Sequence, residues 1–232
     1  APSTGTARVR VVHVSTNAPA VTVTRAGASL AQGAGFAGVA PATGYATTPA
    51  GPATLEIAPA AGGPAVYRNL VSFARDSAYT IVALGNVGFT AGAARSFQPI
   101  VLRDTVAVPA TGGWLRLVHA VDSLGVNTAT PPAVVSAVDI YVYPQGTPRP
   151  TAAPAAGAAI RLLNASFRAQ TAYTPLTAAG TYVVEVFTAG ATPATATPLV
   201  NTTVAITNGL KATVIVRRAQ VGATAAPLNA PG

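Results

Sequence analysis

Short runs in which apolar and polar residues alternate, separated by glycine and proline, occupy this chain from Ala7 to Arg217. Successive side chains of a strand point to opposite faces. On that basis the pattern predicts strands over Ala7–Val14, Ala20–Arg25, Gly44–Thr48, Ala53–Ala58, Tyr67–Phe73, Tyr79–Leu84 and Gln98–Val106. A second series covers Trp114–His119, Val138–Tyr143, Ala159–Leu163, Ala172–Leu176, Thr181–Phe187, Leu199–Ile206 and Ala212–Arg217. Parity puts Val9, Val11 and His13 inward and Arg8, Arg10 and Val12 outward, with Leu115, Leu117 and His119 inward and Arg116 outward in the second series. No ten-residue stretch keeps a clean helical period free of proline or glycine, so the expected fold is all-β with little or no helix. Ala219–Gly232 shows no strand pattern and reads as a tail.

The two series are copies of one another. Arg8-Val-Arg-Val-Val-His13 answers to Trp114-Leu-Arg-Leu-Val-His119, Thr22 to Asp139, Tyr45 to Tyr173, and Pro49-Ala-Gly51 with Glu56 to Ala178-Ala-Gly180 with Glu185. The offset grows in two equal steps, so the second copy carries two loop insertions of eleven residues, near Gly125–Ser136 and Thr147–Ala156, both rich in Ala, Pro and Thr. A repeat of domain size means duplicated domains, because a solenoid would repeat every few tens of residues. The boundary falls in Pro109-Ala-Thr-Gly-Gly113, giving antiparallel β-sandwich modules over residues 1–110 and 111–232, the second with the insertions and the tail. Each is long enough to bury its own core.

Composition narrows the function classes. The chain has no cysteine, which excludes a disulfide framework, a thiolate metal site and a cysteine nucleophile. It opens on Ala1-Pro-Ser-Thr and contains no methionine, the expectation being a mature exported chain in the periplasm or at the cell surface, its signal peptide already removed. Mean hydropathy is +0.44, yet glycine and proline interrupt every apolar run, so no transmembrane segment is expected. Net charge is +8, but the arginines are scattered from Arg8 to Arg218 rather than clustered with aromatics. That pattern argues against nucleic acid and for weak attraction to acidic surfaces.

Candidate chemistry is thin. His13 and His119 occur once per module with no second ligand beside them, and a structural, hydrogen-bonded role is expected over metal binding. No serine lies in a G-x-S-x-G elbow. Glu56 and Glu185 each stand alone, read as outward and solvated, and Asn164-Ala-Ser and Asn201-Thr-Thr read as chance glycosylation matches. No catalytic, cofactor or metal residue is assigned. The one surface candidate is Val138-Asp-Ile-Tyr-Val-Tyr143 with Arg149: parity turns Asp139, Tyr141 and Tyr143 outward. Exposed tyrosines beside an arginine suit a partner-binding face. Ordinary cross-strand packing beneath the Thr147–Ala156 loop is the competing reading.

Arg8-Val-Arg-Val-Val-His13, Ser15-Thr-Asn-Ala-Pro-Ala-Val21, Gly44-Tyr45, Pro49-Ala-Gly51 and Ala78-Tyr-Thr-Ile-Val82 together resemble the bacterial DUF4397 domain family, twice over nearly the whole chain. The resemblance implies exported immunoglobulin- or transthyretin-like sandwiches in tandem with no established enzymatic activity. Thr22 stands where the family usually has Asp, and Val121-Asp-Ser-Leu-Gly125 replaces its Ser-Pro-Asp-Ala-Pro segment. The expected function is an exported, non-enzymatic scaffold or docking protein for a protein partner, of the kind that serves as an extracytoplasmic accessory subunit of a membrane or cell-surface complex. The alternative is a carbohydrate-binding or adhesive module.

Overall fold

The computed structural model describes residues 5–122, 137–150 and 160–218, and the backbone of 228–231. The chain divides into two compact units, whose main segments are Ala1–Val106 and Ala107–Ala219. Both are all-β, and among the described residues there is no helix and hence none able to cross a membrane.

In the first unit, β1 (Thr6–His13) lies between β8 (Ala78–Ala83) and the short strands β4 (Val39–Ala40) and β5 (Ala46–Pro49), and β9 (Ile100–Arg103) closes the far edge of β8. The second sheet runs β3 (Ala28–Ala34), β2 (Val21–Arg25), β6 (Gly51–Pro59), β7 (Tyr67–Phe73). Val9, Val11, Tyr79 and Ile81 of one sheet meet Val21, Val23, Leu55, Ile57 and Phe73 of the other in a single core, which makes the unit a sandwich. The chain crosses between sheets where β5 hands over to β6, and Arg25 clamps that corner. Its buried guanidinium donates to Thr48 Oγ1 (3.2 Å), Pro49 O (2.6 Å) and Gly51 O, and lies 4.9 Å from the Phe73 ring centre.

The second unit repeats the plan. β10 (Gly113–His119) pairs with β16 (Leu210–Val216), and β13 (Thr174–Leu176) takes the place of β5. The bridge Val118–Gln170 takes that of β4. β12 (Ile160–Ala165), β11 (Val138–Pro144), β14 (Gly180–Thr188) and β15 (Val200–Ile206) form the other sheet in the same order as their counterparts. Leu115, Leu117, Val214 and Val216 pack on Val138, Ile140, Val142, Val184 and Val186.

Several expectations need correction. The sandwiches are not wholly antiparallel, since β1–β8 and β10–β16 are parallel pairs. Arg10 and Arg116 are buried, not outward, as is Val12, because both faces of these central strands are covered. β3 and β4 were missed: alanine and glycine give them little strand propensity, and pairing with β2 and β1 supplies what propensity does not. The tail contains β17 (Leu228–Pro231), which pairs with β16 as β9 pairs with β8. The insertion near Gly125–Ser136 and the part of Thr147–Ala156 beyond residue 150 lie outside the described residues.

Candidate functional site

On β11, Val138, Ile140 and Val142 enter the core as parity requires, and Asp139, Tyr141 and Tyr143 take the opposite face. That face is not open. Tyr141 is 4% exposed and Tyr143 7%. Neighbouring β14 sets Phe187, Glu185 and Val183 beside Asp139, Tyr141 and Tyr143. Ala191 and Ala196, from the loop after β14, pack over them as a satellite core. Tyr141 and Phe187 meet edge to face at 5.8 Å. The polar ends are met as well: Tyr143 Oη donates to Glu185 Oε2 (2.9 Å), Arg149 Nη2 to Glu185 Oε1 (2.7 Å) and Arg149 Nη1 to Pro193 O (2.9 Å). Burial raises the Tyr143 phenol above its ordinary value, and the bond to Glu185 adds to the rise, so it stays a neutral donor. The three residues expected at a partner surface are thus brought together, but as the inside of a roofed face. Glu185, expected outward, is fully buried and is the hub of that network.

Asp139 is 5% exposed and accepts two backbone bonds, from Asn164 N (2.7 Å) and Gly190 N (2.9 Å). It ties the bulge between β11 and β12 to the turn after β14. Both units carry that bulge at matching positions, and the residue in the left-handed region is Gly33 (φ 62°) in one and Asn164 (φ 48°) in the other. Glycine and asparagine are the residues that adopt this conformation at least cost.

Both histidines are fully buried at the ends of β1 and β10. His13 Nε2 bonds Pro19 O (3.1 Å) and His119 Nδ1 bonds Ser166 O (3.0 Å). Their backbones hold equivalent turns: His13 N donates to Gly38 O and its carbonyl accepts from Ala37 N, as His119 does with Ala169 O and Arg168 N. Desolvation lowers both imidazoles below the ordinary histidine value, against the opposing carbonyl bonds. Unfolded histidine titrates near ~6.5. Below that pH the unfolded chain takes up protons that the folded chain refuses, so stability is constant above it and falls as pH drops toward the folded values, by at most about 1.4 kcal/mol per pH unit per histidine. Urea midpoints measured from neutral to mildly acidic pH should fall accordingly. His119→Asn should flatten the fall in the second unit, and an unchanged slope in that variant would assign the effect elsewhere.

Sequence reasoning missed a second recurring cluster. Arg10 Nε donates to Thr80 Oγ1 (2.8 Å), Thr80 Oγ1 to Asp104 Oδ2 (2.5 Å), Tyr45 Oη to Asp104 Oδ2 (3.1 Å), and the Arg10 guanidinium lies 5.0 Å from the Tyr45 ring centre. In the second unit Arg116 lies 4.4 Å from the Tyr173 ring and bonds Thr213 (2.9 Å). The repeated Arg and Tyr were legible as a pair of motifs; their contact was not.

All six acidic residues are therefore engaged within the chain. Asp104, Asp139 and Glu185 serve the networks above, Glu56 pairs with Arg68 (3.4 Å), Asp76 with Arg75 (3.1 Å) and Asp122 with Arg218 (3.9 Å). Among the described residues no three His, Asp or Glu side chains gather into a metal site.

Strand register places the loops 14–20, 35–38, 60–66 and 84–99 at one end of the first unit. Asn17 holds the last of these through Val87 N and Val87 O (both 3.0 Å), and Ser15 Oγ donates to Gly85 O (2.5 Å). These loops contain no acid. Phe89 projects from them 44% exposed, with the Arg95 guanidinium 5.2 Å from its ring centre.

A family model described as Domain of unknown function (DUF4397) matches residues 7–129, spanning every strand of the first unit and β10 of the second. No curated protein matches the chain.

Proposed function

Because the chain belongs to the family described as Domain of unknown function (DUF4397), a description that assigns no reaction, we propose on physical grounds that it is a non-enzymatic, exported docking protein, an accessory subunit for a membrane or cell-surface complex. The observation that carries this reading is the loop end of the first unit. Hydrogen bonds between loops pre-organise it, it bears one exposed aromatic and one arginine, and it has no acid to repel a negatively charged partner. Aromatic and arginine side chains on a rigid support are what anchor protein interfaces. The engagement of every acid and both histidines in structural bonds supports the non-enzymatic part of the proposal.

Gentle extraction from the native source, followed by cross-linking and mass analysis, tests the reading. The expected result is an integral membrane or envelope protein cross-linked to loops 14–20, 60–66 or 84–99, with the link lost in Phe89→Ala combined with Arg95→Ala. A protein that runs alone, or cross-links that avoid this end, would overturn it. Retention on a glycan column would favour the carbohydrate reading instead.

Net charge of +8 with all acids internally paired adds a kinetic expectation. Association with an acidic partner should be fastest at low ionic strength and slow as salt screens the field. Binding kinetics at two salt concentrations check this, and a salt-independent association rate would remove the electrostatic part of the proposal.

A further inference from the structure

β7 is the outermost strand of its sheet, and among the described residues only β6 pairs with it. The ladder runs from Tyr67 to Phe73 without a register shift, whereas β3 on the opposite edge is broken by bulges. Edge strands are usually guarded by proline, lysine, bulges or shortness, because their free N–H and C=O groups otherwise template another strand. β7 has seven residues, no proline and no lysine, and the charge of its single arginine is met by Glu56. At its centre Leu70 is 68% exposed, more than any other large apolar residue described; its N–H, held by the side chain of the preceding residue, Asn69 Oδ1 (2.8 Å), has to exchange that acceptor for a carbonyl of an incoming strand.

We propose that β7 pairs antiparallel with β7 of a second copy of this chain, joining two four-stranded sheets into one. The strand is self-complementary about a two-fold axis through Leu70. That axis sets Leu70 against Leu70, Arg68 against Ser72, Asn69 against Val71 and Tyr67 against Phe73, so no like charges oppose and an apolar pair sits at the centre. An axis through Arg68 would oppose two guanidinium groups and is disfavoured; among the remaining registers the axis through Leu70 is the one that sets the most exposed apolar side chain against its own copy. The device belongs to the first unit alone, since β15 has Asn201 and Thr203 where β7 has Arg68 and Leu70.

Two copies at +8 repel one another, so salt should strengthen this contact, the reverse of its effect on association with an acidic partner. The two outcomes, and hence the failure of this inference and of the proposed function, are separable. Sedimentation velocity of the full chain from micromolar to millimolar concentration should show the mass rising from 22.9 kDa toward twice that value, more readily in high salt. Leu70→Lys puts like charges on the axis and should weaken the dimer by at least about tenfold. It should leave the far-ultraviolet circular dichroism unchanged, because the side chain is exposed. Thr203→Lys on β15 should leave the dimer intact. Hydrogen exchange should show β7 amides protected only at high concentration. A chain that stays at 22.9 kDa throughout, or dimerises equally as Leu70→Lys, or loses the dimer in Thr203→Lys, would overturn the proposal.

Discussion

Replacing Arg149 with alanine should lower the stability of the second unit by about 3 kcal/mol, because it removes the cation that faces the fully buried Glu185 and leaves the Tyr143 hydroxyl donating to an uncompensated charge. Arg149 is 34% exposed but Glu185 is not, so removing the arginine strands the carboxylate in a medium that solvates it poorly, a larger loss than the half-buried pair itself contributes when formed. The discriminating comparison is therefore the double variant Arg149→Met with Glu185→Gln, which removes both charges and should recover more than half of the loss. Urea unfolding of the three proteins measures this. Equal losses in single and double variants would mean that Arg149 matters as packing over Phe187, from whose ring centre it lies 5.7 Å away, and not as a charge. Tyr141, Tyr143 and Phe187 lie under the same roof, so Arg149→Ala should also increase binding of a hydrophobic dye.

The second large effect is expected at Asp139. Asp139→Ala takes from the backbone N–H groups of Asn164 and Gly190 their buried carboxylate acceptor; both residues are exposed, so water meets part of the loss and the expected cost is about 1–2 kcal/mol. Asp139→Asn keeps one acceptor oxygen and should cost about half as much. Thermal unfolding of the second unit, with hydrogen exchange at Asn164 and Gly190, distinguishes this from a general loss of packing. If the two amides remain as protected as in the parent, the carboxylate is not what holds them. The first unit has Thr22 at the corresponding place and takes Gly33 through the same bulge, so Thr22→Ala should be nearly neutral.

What the alternation of the chain determined is the set of strands that pack inward. Val9 and Val11, Leu115 and Leu117, and Val138, Ile140 and Val142 all lie where parity put them, because a side-chain period of two is a local property of extended backbone. The duplication was equally legible, since residues answer to residues along one dimension, and two sheets of matching order stand on it.

What lies on the far side of a strand is a different kind of fact. Tyr141, Tyr143 and Glu185 alternate outward, yet whether outward means water depends on a roof contributed by Arg149, Pro193 and Ala196, from two connections that fold back over the sheet and carry no periodicity. Arg10 and Arg116 read as solvated for the same reason, until Tyr45 and Tyr173 are found against them. β3, β4 and β17 are strands only because a neighbour offers them a ladder. Alternation along the chain suffices to tell which residues one sheet turns toward another; which polar groups are surface and which are frame follows from the folded arrangement. Burial on a strand's outer face is set by segments that close over it in space, and closure leaves no local pattern to read.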